Sequence, residues 1–180
     1  MLGGVVLGGL WCATAADADP ANDASCIGAG GQALQTEVLR SVNALRAAGA
    51  VCGAVAFAPA GPLRWNRQLQ QAANGHSTDM AKNNYFSHTS PDGADMSQRA
   101  QASQYRYSDL GENIAAGQSS AAAAIAVWVN SAGHCQNLMN PAYRDVAMAC
   151  GHNESSRFRY YWTMTLGRSW GVAGADNARD

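Results

Sequence analysis

The sequence predicts an α+β fold in which helices pack on a small antiparallel sheet. Three observations carry the class. Apolar residues recur at helical spacing early in the chain, at Leu34, Val38, Val42 and Leu45 and again at Leu69, Ala73 and Met80, which share one face with His76. From Val146 onward the period drops to two: Val146, Met148 and Cys150, then Phe158, Tyr160, Trp162, Met164 and Leu166, alternate with small or polar residues. The chain has 180 residues, 47% of them apolar and 14% charged, which suits one folded core and argues against disorder.

The elements follow in order. Residues 19–32 are small and polar and read as a linker. Their Gly28-Ala29-Gly30-Gly31-Gln32-Ala33 matches a dinucleotide fingerprint only by letter, since no apolar strand precedes it. The first helix runs from about Leu34 and stops at Gly49, which can take a left-handed cap. A loop with Pro59 and Pro62 carries Cys52. Asn66 caps the second helix, which reaches Asn83 or Asn84. Pro91 and Gly93 force a turn, and a short helix fits residues 95–103. Gly111-Glu112-Asn113-Ile114 lies in a loop or strand. Ser120 caps a helix carrying Ile125 and Trp128; Gly133 interrupts it, and one more turn ends at Asn140-Pro141. The polar segment from His152 to Arg157 closes the final hairpin. It holds an Asn153-Glu154-Ser155 sequon, which asks only that the loop be exposed.

The first 18 residues read as an export signal. Val5, Val6, Leu7, Leu10 and Trp11 form an apolar stretch too short to span a bilayer, and Ala13-Thr14-Ala15 and Ala16-Asp17-Ala18 fit small-residue cleavage sites. Cleavage there removes Cys12 and leaves Cys26, Cys52, Cys135 and Cys150, an even set that favours disulfides in a secreted or periplasmic protein. Four cysteines allow three pairings, and the sequence-near one, Cys26–Cys52 with Cys135–Cys150, is the simplest. Formal net charge is −1 with no run of Lys and Arg, so nothing favours nucleic acid. No later segment has the length of a membrane helix. Residues 171–180 are expected to form a flexible tail.

Four histidines limit the chemistry. His152 belongs to the exposed hairpin loop. His76 sits on the apolar face of the second helix, where a buried ring satisfied by a backbone carbonyl is expected. His88 and His134 each follow a predicted helix end, beside turns that often face a cleft. With Glu112 they could bind zinc or a similar metal, or form a general acid/base set. Alternatively, Glu112 only braces loops. The sequence has no His-Glu-x-x-His and no Gly-x-Ser-x-Gly, and cysteines held as disulfides cannot serve as nucleophiles.

An ordered set of segments resembles the bacterial branch of the CAP superfamily, which includes cysteine-rich secretory proteins, venom allergens and plant pathogenesis-related proteins. They are Leu63-Arg64-Trp65-Asn66, His76-Ser77-Thr78-Asp79-Met80-Ala81, Asn84 to Gly93, Gly111 to Gly117, Trp128 to His134, Asn137 to Pro141 and Tyr161-Trp162-Thr163, within a domain set at 33–170. The resemblance implies an α-β-α sandwich with a cleft. In eukaryotic members two histidines and two glutamates there can hold a divalent metal. His88 and Glu112 match the first histidine and one glutamate. Ser131 stands where the second glutamate is expected and Tyr161 where the second histidine is expected, while His134 follows Ser131 as in bacterial relatives. The expected site is therefore His88, Glu112 and His134, with Ser131 and Tyr161 at its wall. No cofactor is required, although a divalent metal such as zinc could be held by His88, His134 and Glu112. The expected partner is an extracellular ligand: a peptide, a lipid or an envelope component. A metal-dependent hydrolase and a purely structural domain are the alternatives.

Overall fold

The structure is a computed structural model that describes Cys26 and residues 31–170. The signal segment 1–18, most of the 19–32 linker and the 171–180 tail lie outside the described residues.

Helix α1 (Gly31–Ala48) ends where Gly49 turns to φ 74°, the left-handed stop its position predicted. A hairpin of β1 (Ala50–Cys52) and β2 (Val55–Phe57) follows, where the sequence suggested only a loop. After the short strand β3 (Arg64–Trp65), Asn66 caps α2 (Arg67–Asn83) by accepting from the N–H groups of Gln68 and Leu69. Asn84 closes α2 in the left-handed region at φ 54°. Asp95 and Gln98 form a reciprocal capping box on α3 (Met96–Ala102). Strand β4 (Tyr107–Ala116) carries the Gly-Glu-Asn segment. Ser120 caps α4 (Ala121–Val129), α5 (Ala132–Met139) follows, and β5 (Asp145–His152) and β6 (Tyr160–Ser169) complete the chain.

The sheet order is β3-β5-β6-β4. The hairpin β5–β6 and the pair β4–β6 are antiparallel as expected, but β3 joins β5 in parallel, so the sheet is mixed. Alternation along the strands divides the core. Val146, Met148, Trp162, Met164 and Leu166 face α1 and α4, packing on Val38, Val42, Ile125 and Trp128. Ala147 and Tyr161 face the opposite way, against Leu69 of α2 and against Met80 and Ala81 of α2 respectively. The small residues on β5 let α2 come close: a Cβ on Gly151 would lie 2.0 Å from the Ser77 carbonyl oxygen. Three layers result, the helices α1, α4 and α5 on one face and α2 and α3 on the other.

The disulfides join Cys26 to Cys150 and Cys52 to Cys135, with Cα separations of 5.5 and 5.4 Å. This corrects the sequence-near pairing Cys26–Cys52 and Cys135–Cys150. The 18-residue α1 is about 27 Å long at 1.5 Å per residue and holds Cys26 and Cys52 at opposite ends. The hairpin β1–β2 turns Cys52 onto α5, where Cys135 sits with Met139. The Cys26 N–H donates to the Ser119 carbonyl, anchoring that residue beside the sheet.

Candidate functional site

Strand β4 is an edge strand, and its alternation sorts the Gly111-Glu112-Asn113 segment into separate jobs. Gly111 lies against the Tyr143 hydroxyl, which a Cβ would meet at 2.4 Å. Glu112 turns toward α2 and α3. Asn113 turns the other way, donating to the His134 carbonyl at 3.1 Å and accepting from Asn137 at 2.9 Å. Asn137 also donates to the Glu112 carbonyl at 3.3 Å, so α5 is fastened to the strand by two asparagines.

The Glu112 side chain is 2% exposed. Its Oε1 accepts from His88 Nδ1 at 2.9 Å, and Arg99 Nη2 donates to both carboxylate oxygens at 3.0 and 2.8 Å. Arg99 is positioned in turn by Ala94 and His88 carbonyls, each at 2.9 Å. Burial by itself raises the Glu112 carboxyl; the His88 hydrogen bond, the Arg99 charge and the nearby His76 ring outweigh it and hold the group below the usual carboxylate range. The group is therefore a carboxylate at neutral pH, and the His88 ring carries its proton on Nδ1. His88 Nε2 is left facing outward on a side chain that is 54% exposed.

His134 stands at the start of α5, on the opposite side of β4. Its Nδ1 lies 2.9 Å from Ser131 Oγ. Ser131 occupies the N-cap position of α5 but makes no side-chain cap bond, because its hydroxyl is turned to the imidazole. Burial, and then the neighbouring His88 ring, lowers the His134 pKa, which favours its neutral form and places the two histidines within each other's field.

His76 is fully buried and bonded to a backbone carbonyl, as expected: Nε2 donates to Ser87 at 2.9 Å. It also lies 3.9 Å from Glu112 Oε1, which joins it to the cluster. Desolvation lowers its pKa. Behind it the Tyr85 hydroxyl donates to Asp79, and burial together with that bond pushes the phenol up to about 12.

Of the five residues expected at the site, the structure gathers His88 with Glu112 and His134 with Ser131, as two pairs flanking β4. Tyr161 is not with them. It is fully buried among Met80, Ala81 and Ile114, with its hydroxyl 3.3 Å from Asn84. Its strand partner is Ala116, whereas Glu112 pairs with Thr165, four residues or about 13 Å farther along β6. Facing the same side of the sheet as Glu112 did not bring it to the same end. Arg99 was missed altogether. Its short helix was legible, but no spacing rule links it to a carboxylate thirteen residues later in a strand.

The metal implied by the resemblance does not fit this donor set. Both Glu112 oxygens are engaged by a guanidinium, itself a fixed cation, and one also accepts from His88. Among the described residues no three of His, Cys, Asp and Glu are grouped to hold a metal ion.

A three-layer sandwich with a buried His/Glu cluster at the edge of its sheet is the arrangement of a CAP-type domain. The model of the cysteine-rich secretory protein family matches residues 39–166, and the chain belongs to that family. The uncharacterized protein YkwD of Bacillus subtilis is 33% identical over 57% of this chain and 38% of its own length. The uncharacterized membrane protein YlbC of the same organism is 32% identical over 60% and 29%. The chain thus spans about a third of the length of these curated relatives. Among solved structures, an extracellular protein containing a SCP domain from Bacillus anthracis is 30% identical with a TM-score of 0.62, covering 77% of this chain and 41% of the other. An outer surface protein of Borrelia burgdorferi shares the fold at 16% identity, with a TM-score of 0.63 and coverage of 75% and 92%.

Proposed function

We propose that this chain is an extracytoplasmic binding domain that receives a small polar ligand at the outer edge of β4, between His88 and His134. One observation carries the reading: a buried, ion-paired carboxylate holds an exposed imidazole in one tautomer and one orientation. A brace for loops needs no exposed ring, whereas a recognition group does. In the tautomer where Ser131 donates to His134 Nδ1, the two rings offer an acceptor at a neutral His88 Nε2 and a donor at His134 Nε2. That pair suits an amide or hydroxyl group of a peptide or envelope component. The metal-dependent hydrolase reading asks Glu112 for an oxygen directed into the cleft, and Arg99 takes both. The two disulfides and the extracellular relative support a secreted or periplasmic location, and among the described residues no helix is long and apolar enough to cross a membrane.

The test is a titration of the oxidised chain with a fragment library of amides, alcohols and carboxylates, read through the histidine side-chain nitrogen resonances. At least one fragment class should shift His88 and His134 together, and His88→Ala should abolish the shift. Failure of every class, or hits that survive His88→Ala, would remove the reading.

A further inference from the structure

A cleft lies at the start of β4, away from the histidines. It is about 920 Å³ and is lined by Gln68 at the start of α2, Gln101 and Gln104 at the end of α3, Arg106 and Tyr107 on the approach to and first residue of β4, and Trp170 just beyond β6. Tyr105 forms its floor. Tyr107 lies five residues from Glu112 along the same strand, about 17 Å away at strand spacing, so this cleft is separate from the imidazole pairs.

The walls are built rather than incidental. Tyr105 is buried and its hydroxyl donates to Asp145 at 2.8 Å; Tyr107 stacks on it at a centroid distance of 6.3 Å with the rings 13° from parallel. The Trp170 N–H donates to the Arg106 carbonyl at 3.0 Å, which carries the β4–β6 ladder one step farther and fixes the backbone under the indole. The Gln68 amide donates to the Gln104 carbonyl at 3.1 Å, tying α2 to a residue held at φ 63°. On this framework the Trp170 ring is 69% exposed. A large aromatic face left in water beside a cleft of this size is the usual mark of a recognition surface.

The lining selects the chemistry. Among the described residues its lining contains no carboxylate to hold a cation, and one arginine in a chain of net charge −1 does not make a polyanion site. A lipid chain would displace water from the Gln101 and Gln104 amides and offer them no hydrogen bond in return. Each amide offers a donor and an acceptor side by side, the complement of vicinal hydroxyls, and the aromatic faces are apolar surfaces for the C–H side of a sugar ring. A proline-rich peptide would need parallel exposed aromatic ridges, but Tyr105 is buried and its hydroxyl already used. We infer that this cleft binds a neutral pyranose oligosaccharide, with Trp170 as the stacking platform and Gln68, Gln101 and Gln104 reading its hydroxyls.

The experiment titrates the oxidised full chain with triacetylchitotriose, cellotriose and maltotriose, following the tryptophan indole N–H and glutamine side-chain resonances, with Trp170 assigned from Trp170→Phe. At least one trisaccharide should shift the Trp170 indole saturably. Its Kd should weaken by about tenfold or more in Trp170→Ala, a side chain on the surface, and by several-fold in Gln101→Ala. His88→Ala should leave it unchanged, so this result and the imidazole-cleft result can fail independently. Absence of saturation by all three sugars at about 20 mM, where even millimolar binding would show, would overturn the inference. So would sugar binding that persists in Trp170→Ala, or saturation by a proline decapeptide in place of the sugars.

Discussion

Replacing Glu112 by Gln tests the electrostatic core of the site. The wild-type carboxylate is 2% exposed and accepts two bonds from Arg99 and one from His88. The amide keeps one acceptor oxygen and the shape but loses the charge, leaving an 11%-exposed guanidinium without its counter-ion. Removing one partner of a buried pair costs about 3–5 kcal/mol, and the bonds Arg99 keeps to Ala94 and His88 carbonyls bring the expectation to about 2–4 kcal/mol at pH 7. The pH dependence follows from the lowered Glu112 pKa. A carboxyl whose folded pKa lies below its unfolded value contributes stability that is complete above about pH 4.3 and is lost as pH falls through the folded value. The gap between wild type and Glu112→Gln should therefore be constant from pH 7 to about 5 and narrow progressively toward pH 2. Denaturant melts of the oxidised proteins at pH 7, 4 and 2.5 measure it. A variant within about 0.5 kcal/mol of wild type at pH 7, or a gap that does not narrow in acid, would refute the reasoning.

Gly151→Ala should destabilise by at least about 1–3 kcal/mol, since its Cβ would strike the Ser77 backbone 2.0 Å away; Gly75→Ala, mid-helix with nothing within 4 Å, should instead stabilise by up to about 1 kcal/mol, both read by thermal melts. Peptide mapping without reduction should yield Cys26–Cys150 and Cys52–Cys135 fragments, and replacing either pair by Ala should cost up to about 4.5–5 kcal/mol on the chain-entropy model for separations of 124 and 83 residues. His76→Ala should cost about 1–3 kcal/mol through the lost bond to Ser87 and the vacated volume, with an unchanged melt refuting its burial. His76 and His134 both have lowered pKa values, so the unfolded chain takes up their protons first; stability should be full above about pH 6.5 and begin to fall below it, ahead of the Glu112 loss, and a flat profile between pH 7 and 5 would refute that sign.

Much of the fold was legible because local chemistry and global structure agree. Asn66, Asp95 and Ser120 sit where caps were needed, Gly49 stops α1, and the alternation of β5 and β6 sets both their pairing and their two faces. The elements missed were short. Strands β1 and β3 span three and two residues, too few to show a period; β1 pairs only with its neighbour β2, and β3 takes its partner from the distant β5. The disulfides were misread because sequence proximity ignores the rigid length of a helix, and nothing local reports that β1 folds back onto α5.

The site was half legible for a related reason. His88, Glu112 and His134 could be singled out one at a time, by residue type and by lying beside predicted turns, and Ser131 only through the family resemblance. What makes Glu112 a carboxylate, and what aims His88 outward, is Arg99, and that pairing exists only because α3 packs back over β4. Charge pairing within a helix obeys a spacing; pairing between a helix and an edge strand obeys the packing of layers, which no single-residue signature records. Tyr161 shows the complementary error. Its face of the sheet follows from alternation, but its height along the strand depends on register, and the four-residue offset from Glu112 to Ala116 separates a core tyrosine from the imidazole pairs. The consequence reaches function: a guanidinium pairs with the carboxylate, and the carboxylate in turn holds an imidazole in place.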